Sequence, residues 1–379
     1  MTLRGLVRRL KRAMAAFFSD SIAAQLRAPY VPNPQRVFGL TQNVSIDATA
    51  RLIVDAGSPD AKGRIVLGRG VYLGRFVEVA TTDEGQLTIG DDTSIQDYSV
   101  IIGDVTIGAH CLFSLNTHVT SSTHHIHNRP TWLIRDQDRA AGGLQPRIGK
   151  RSWPVVIEDD CWIGWGAVIL SGVYVGRGAV VGSNSVVTRD IPPYEVHAGA
   201  PNQCVSRRLA FEPPTRIDAM DDLCLPYFYR GFQLSQQALT ETRKLGVVTA
   251  GKRACVVLAR SNDAVLRIIG RRLDGRNDLL TLTLCVNGID CGSYTVDETE
   301  FVIDIPLQAT VDRREARHIP VVLRDYTYVE VMCEQSAATG ISGNSDEPAR
   351  YGIRNVMLLA HDKSIVDILS DDSSRVVVR

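Results

Sequence analysis

IEDDCWIGWGAVILSGVYVGRGAVVGSNSVVTRDIPP, residues 157–193, carries an aliphatic residue at every sixth position: Ile157, Ile163, Ile169, Val175, Val181 and Val187. Small and turn-forming residues fill the intervals. A period of six fits neither a helix nor a plain strand, whose side chains repeat at about 3.6 and 2 residues. It fits a coil of three short flat faces, six residues to a face. That is the pattern of a β-solenoid, in which stacked coils bury the apolar edge that one coil alone leaves wet.

The same frame runs upstream through Leu67, Leu73 and Val79, then Ile89, Ile95, Ile101, Ile107, Phe113 and Val119. The step from Val79 to Ile89 leaves a four-residue bulge, and the step from Val119 to Ile157 leaves one of thirty-two. Fifteen hexads make five coils of eighteen residues, with weaker ones before Leu67 at Val44, Ile46 and Leu52. Glycine after several inward positions suits the tight corners.

The ends read differently. In residues 1–36, Leu3, Leu6, Val7, Leu10, Met14, Phe17, Phe18 and Ile22 fall on one helical face beside Arg4, Arg8, Arg9, Lys11 and Arg12, and prolines close the segment. Such a helix either lies on an anionic membrane surface or packs against protein, and packing is the favoured reading. The solenoid is expected over 37–204, with an inserted loop at 120–154 and a polar, aromatic connector over 205–245. In residues 246–379, LLTLTLCVNGIDCGSYTV alternates on a period of two and turns at Asn287–Gly288, a hairpin signal. EFVIDIPL, IPVVLR and TYVEVMC read as further strands, and together they predict a β-sandwich.

Composition narrows the function. A formal net charge of zero gives no reason to expect a nucleic-acid partner. The eight cysteines include no C-x-x-C pair, so they read as reduced thiols of a cytoplasmic protein, at most peripheral to a membrane. No run approaches the roughly 18 apolar residues of a membrane span.

The long insertion is polar and follows His118; it holds His124, His125 and His127. Loops of this length in a compact fold are usually functional or disordered. The strings FSLNTHVTSSTHHIHN and 157–193, with the closing AGAP, resemble the hexapeptide-repeat O-acetyltransferases, the family of maltose, galactoside and bacterial polysaccharide acetyltransferases. The resemblance covers about 87–208. It implies an all-β left-handed parallel β-helix, assembled as a homotrimer with its active sites between subunits.

It also implies roles. Matching STHHIHN to the family's H-x-I-x-[DN] pattern puts the general base on His124. An alcohol is a weak nucleophile at neutral pH, and imidazole, with a pKa of about 6.5, is suited to take its proton. The oxyanion donor falls on the backbone N–H of Trp165, since developing negative charge needs preorganised donors. Asn116, His118, His125 and His127 are candidates for contact with the acceptor. Gly164, Ser183, Thr188, Arg189, Arg207 and Arg208 are candidates for contact with acetyl-CoA, the arginines through its phosphates. Asn202 and Gln203 stand where the family often has alanine or lysine.

No metal is expected. The zinc-binding γ-class carbonic anhydrases share the solenoid, but their histidines lie within regular coils. A non-catalytic trimeric stalk displaying the sandwich is the other rival. The favoured acceptor is a sugar hydroxyl of a bacterial surface polysaccharide or its precursor; an antibiotic or serine is the alternative.

Overall fold

The structure, a computed structural model, describes residues 28–41, 43–55, 62–141, 151–261, 264–273, 275, 279–307, 320–334 and 350–360. The helix expected within residues 2–27 lies outside them. The chain divides into two compact units, Met1–Leu209 and Ala210–Arg379.

The first unit is a parallel β-helix. Three sheets run along it, and apart from one closing antiparallel pair their neighbouring strands come from successive coils. One inward column is Leu52, Val79, Ile101, Val119, Ile169 and Val187, each paired with the next. A second is Ile46, Leu73, Ile95, Phe113, Ile163 and Val181. All fifteen residues of the period-six frame are buried, at 1% relative exposure or less. Burying each such side chain contributes about 1.5–3 kcal/mol, so these columns contribute heavily to the stability of the solenoid.

One corner of successive coils is left-handed, at Phe76 (φ 56°), Tyr98 (φ 62°), Asn116 (φ 57°), Gly166 (φ 65°) and Asn184 (φ 56°). Glycine and asparagine accept that conformation readily, whereas the two aromatic residues are strained in it. The Phe76 and Tyr98 rings stack, with centroids 5.2 Å apart.

The long insertion leaves the third sheet after the strand His118–Thr120. An antiparallel ladder, Ser122 with Ser152 and Thr123 with Arg151, closes its base. Within it lies the seven-residue helix Ile134–Ala140. The solenoid ends in an antiparallel pair, Glu195–Ala198 with Gln203–Arg207.

The second unit is an antiparallel β-structure with its own core. The hairpin Leu280–Val286/Ile289–Val296 turns at Asn287 and Gly288, both with positive φ. The strand Val248–Leu258 pairs through 248–250 with Tyr351–Ala360 and through 253–258 with Thr327–Glu334. Glu300–Leu307 and Thr327–Glu334 are strands. Pro320–Arg324, part of the segment read as a strand, instead holds the single 3-10 turn Val321–Leu323. Proline removes a ladder donor there, and so short an apolar run has no period to decide its state.

The stretch read as a connector is also structured. Arg216–Asp218 pairs with residues 355–357, and Arg230–Phe232 joins Val248–Leu258. Ile217, Phe228 and Phe232 enter the core of this unit. Strands of three residues are too short to show alternation, so only the aromatic content signalled them. Among the described residues no helix is long and apolar enough to cross a membrane.

Candidate active site

The insertion brings its histidines to one carboxylate. His124 Nδ1 lies 2.8 Å from Asp138 Oδ2. The His125 backbone N–H donates to Asp138 Oδ1 at 2.9 Å, and His125 Nδ1 lies 3.2 Å from the same oxygen. Asp138 sits on the helix Ile134–Ala140 and is buried, as is His125. The next residue towards the N-terminus, Gln137, fastens that helix to the preceding loop: its Oε1 accepts from Arg129 N–H and its Nε2 donates to Trp132 O.

The His125 backbone donor, with the two histidine side chains, holds the Asp138 carboxyl below its ordinary pKa despite burial. It is therefore ionised near neutral pH and only accepts hydrogen bonds. In the neutral imidazole, His124 Nδ1 then carries the proton it donates and Nε2 keeps the lone pair. The His124 side chain is 66% exposed, so that nitrogen is accessible. His125 has the opposite character: its side chain is buried against Asp138. His127 is exposed.

His118 and Asn116 stand on the coil that leads into the insertion. His118 is half-buried, and burial pushes its pKa below the usual value. Asn116 is exposed at the left-handed corner, its N–H donating to Asp97 O. The neighbouring coil carries Trp162, whose indole N–H donates to Ser114 Oγ at 3.3 Å. Register joins the two coils at Leu112–Trp162, Phe113–Ile163 and His118–Val168.

Trp165 C=O accepts from Asn184 N–H at 2.7 Å, while its own N–H donates to no atom among the described residues. That amide is a donor suited to developing negative charge. Gly164 has a packing role: its N–H donates to Val181 O, and a Cβ there would lie 2.7 Å from both Val181 O and Ser183 N. Only glycine permits that approach.

The last coil gathers the remaining candidates. Ser183, Thr188 and Arg189 are exposed. Thr188 N–H donates to Asn202 Oδ1 at 3.0 Å, so that N–H is not available to a ligand. Asn202 Nδ2 then donates to His197 Nδ1 at 3.0 Å, which makes Nε2 of His197 the donor to Glu195 Oε2 at 2.8 Å. Burial works to raise the Glu195 pKa, but bonds from His197, Arg207 and Cys204 together hold it low. Asn202 and His197 are functional candidates only in this supporting sense; the departure of Asn202 from the family's usual residue was their one signal.

Glu195, His197 and Cys204 bring three ligand-type atoms within 4.8 Å of one another. Both ring nitrogens of His197 are already engaged there, Nε2 with Glu195 and Nδ1 with Asn202.

The arginines separate. Arg207 Nε donates to Glu195 Oε1 at 3.1 Å. Arg208 donates to Gly178 O at 2.8 Å and to Asp160 Oδ2 at 3.1 Å, so it braces neighbouring coils. Arg189 has no hydrogen bond or ion pair among the described residues, which leaves its guanidinium for a phosphate.

Comparisons agree with the repeat. Residues 154–189 match the family model described as the hexapeptide repeat of succinyl-transferase. Over 109 residues the chain is 33% identical to galactoside O-acetyltransferase of Escherichia coli (strain K12), covering 29% of this chain and 44% of that one. The chain thus matches less than half the length of that curated relative. Similar solved structures include a maltose O-acetyltransferase from Clostridium difficile 630, at 22% identity over 46% of this chain and 66% of that one, with a TM-score of 0.24. Another is AntD, an N-acyltransferase from Bacillus cereus solved with dTDP and coenzyme A, at 19% identity over 48% and 92%, with a TM-score of 0.35. The family model and the curated relative agree with the resemblance to hexapeptide-repeat acetyltransferases read from the sequence.

Proposed function

We propose that this protein is an acetyl-CoA-dependent O-acetyltransferase that modifies a sugar hydroxyl of a bacterial surface polysaccharide or its precursor. One observation carries the reading: Asp138 holds Nδ1 of the exposed His124 side chain, so that in the neutral ring Nε2 is the nitrogen with the lone pair. Chemistry follows from that tautomer. His124 Nε2 takes the hydroxyl proton as the sugar oxygen attacks the thioester carbonyl carbon. The Trp165 N–H meets the charge that develops on the carbonyl oxygen. The carbon–sulfur bond breaks, and the imidazolium returns its proton to the departing thiolate of CoA. No covalent enzyme intermediate and no metal are needed.

On the donor side, Arg189 meets a phosphate of acetyl-CoA, and Thr188 and Ser183 contribute hydroxyls. Arg207 and Arg208 shape the end of the coil instead. On the acceptor side, Asn116, His118 and His127 border the base. The solenoid is read as left-handed and the assembly as a homotrimer. Tyr72, Leu112 and Trp162, outward residues of one sheet, are exposed and offer an apolar face for a second copy. The second unit is read as a β-sandwich that binds the glycan, and the protein as cytoplasmic, with residues 2–27 available to a membrane surface or to protein packing.

The test is mass spectrometry of surface glycans from host cells with and without the gene. The reading expects one acetyl group per modified sugar to disappear without it. Unchanged glycans alongside a newly unmodified small molecule would move the acceptor to the antibiotic or serine class.

A further inference from the structure

The left-handed corner carries Phe76, Tyr98, Asn116, Gly166 and Asn184 on successive coils. A ladder of amides ties them in that order. Tyr98 N–H donates to Arg75 O, Asn116 N–H to Asp97 O, Gly166 N–H to Leu115 O and Asn184 N–H to Trp165 O. The corner therefore runs without a break from the two aromatic residues, past Asn116, to the Trp165 amide of the candidate active site. Coils lie about 4.8 Å apart, so Tyr98 is one coil from Asn116 and Phe76 is three coils, about 14 Å, from Gly166.

The residue type changes along this corner. Asparagine and glycine accept positive φ at 116, 166 and 184, and would meet the same backbone demand at 76 and 98. Phenylalanine and tyrosine are strained there, and strain kept at the same position of two successive coils points to a function. Core packing does not explain it, because Phe76 is 53% and Tyr98 50% exposed. Their rings stack on each other with 15° between planes, which holds the pair in one orientation. Leu115 and Trp165 are exposed further along the same corner.

Hydrogen-bonding groups rim the pair. Phe76 N–H donates to Thr49 Oγ1 at 2.8 Å, and that hydroxyl donates to Asp47 Oδ1 at 2.6 Å. The Thr49 hydroxyl and N–H hold the Asp47 carboxyl below its ordinary pKa, so near neutral pH it is ionised and only accepts. Arg75 bonds Asp97 through Nε at 2.7 Å and also through Nη2, and its side chain stays 64% exposed with further donors on Nη1. A sugar matches such a place: its C–H face lies on an aromatic face, and its hydroxyls meet the polar rim. A second protein matches it less well, since two aromatic rings bury about 300–500 Å² against roughly 1,200 Å² for a stable interface.

We infer that this corner is an extended acceptor subsite: a glycan chain lies along it with sugar rings on Phe76 and Tyr98, while the sugar that receives acetyl sits by Asn116. The inference rests on the acceptor reading above and extends it from one sugar to several. A longer acceptor gains contacts here that a single sugar cannot reach.

The test uses the host's surface glycan, stripped of O-acetyl groups with mild base and cut to fragments of one and three repeats. Each is titrated, without acetyl-CoA, into the full-length wild-type protein and into the double variant Phe76→Asn, Tyr98→Asn. Asparagine relieves the left-handed strain, so the variant should keep its melting temperature. The three-repeat fragment should bind wild type about tenfold or more tighter than the single repeat, and the variant should lose that advantage. In transfer assays the variant's KM should rise about tenfold for three repeats and stay within about twofold of wild type for one. Equal affinity of wild type and folded variant for the longer fragment, or no advantage of three repeats over one in wild type, overturns the inference. So does a smaller assembly mass of the variant by light scattering, which would make the corner a contact between copies. Failure of the acetyl-transfer reading looks different: wild type then binds the longer fragment through these rings but transfers acetyl to neither.

Discussion

Asp138 Oδ2 and His124 Nδ1 lie 2.8 Å apart across fourteen residues of the insertion, and this contact decides which nitrogen of His124 is left as a base. Replacing Asp138 by asparagine keeps the shape but removes the charge. A hydrogen bond to a charged group is worth about 1.5–3 kcal/mol, and each 1.4 kcal/mol is about tenfold. Asp138→Asn is therefore expected to lower kcat for acetyl transfer by about 10- to 100-fold with little change in KM for acetyl-CoA. Thiol release during turnover measures both constants. Wild-type values in the variant would remove Asp138 from the site.

The half-buried imidazole of His118 predicts a pH dependence of stability. Its folded pKa is depressed by burial, so the unfolded chain binds the proton more tightly. At pH above about 6.5 both states are neutral at this position and nothing is lost. As pH falls below that value the unfolded state gains protons first, and stability declines. His118→Asn should flatten this part of the profile. Urea midpoints at pH 7.5 and pH 5.5 check it; equal slopes for the two proteins would show that another group governs the decline.

Arg189 and Arg208 should respond differently to alanine. Arg189→Ala removes a phosphate contact remote from the reacting carbon, so KM for acetyl-CoA should rise by about tenfold at nearly unchanged kcat. Arg208→Ala breaks bonds to Gly178 and Asp160 within the coils. It should lower the melting temperature and leave KM close to wild type. Steady-state kinetics with a thermal melt on each variant distinguish the two roles; an exchanged pattern would relocate the phosphates to Arg208.

The second unit has its own core, so a chain ending at Leu209 should remain folded. It should transfer acetyl to small sugars at close to the full-length rate. Transfer to the native glycan should drop, because a second contact raises the effective acceptor concentration. Light scattering on the same protein checks for the trimer. Equal rates on the native glycan would assign the second unit a different purpose.

What the sequence disclosed and what it hid follow from interaction range. Ile157, Ile163 and their thirteen equivalents are buried because a solenoid writes its core as a local period. Asn287–Gly288 marked its hairpin because positive φ at both positions is a local demand. Asp138 was not legible. Its helix has seven residues, and its meaning lies in a contact with His124 that spacing does not announce. The close approach of Val181 and Ser183 that requires glycine at 164 is visible only once coils are stacked. Ile217, Phe228 and Phe232 read as connector because three-residue strands and a short 3-10 helix leave no pattern, although their burial ties them to the second core.

The central claim is that His124 is the base for transfer from acetyl-CoA to a sugar hydroxyl. The most direct measurement follows labelled acetyl from acetyl-CoA onto a galactoside or maltose acceptor, for the wild-type protein and for His124→Ala. Loss of a general base costs about 10²- to 10⁴-fold, so the variant should retain its fold and its acetyl-CoA affinity while losing that much of the rate. Wild-type protein that forms no O-acetyl sugar, or a His124→Ala variant that forms it at full rate, would contradict the account.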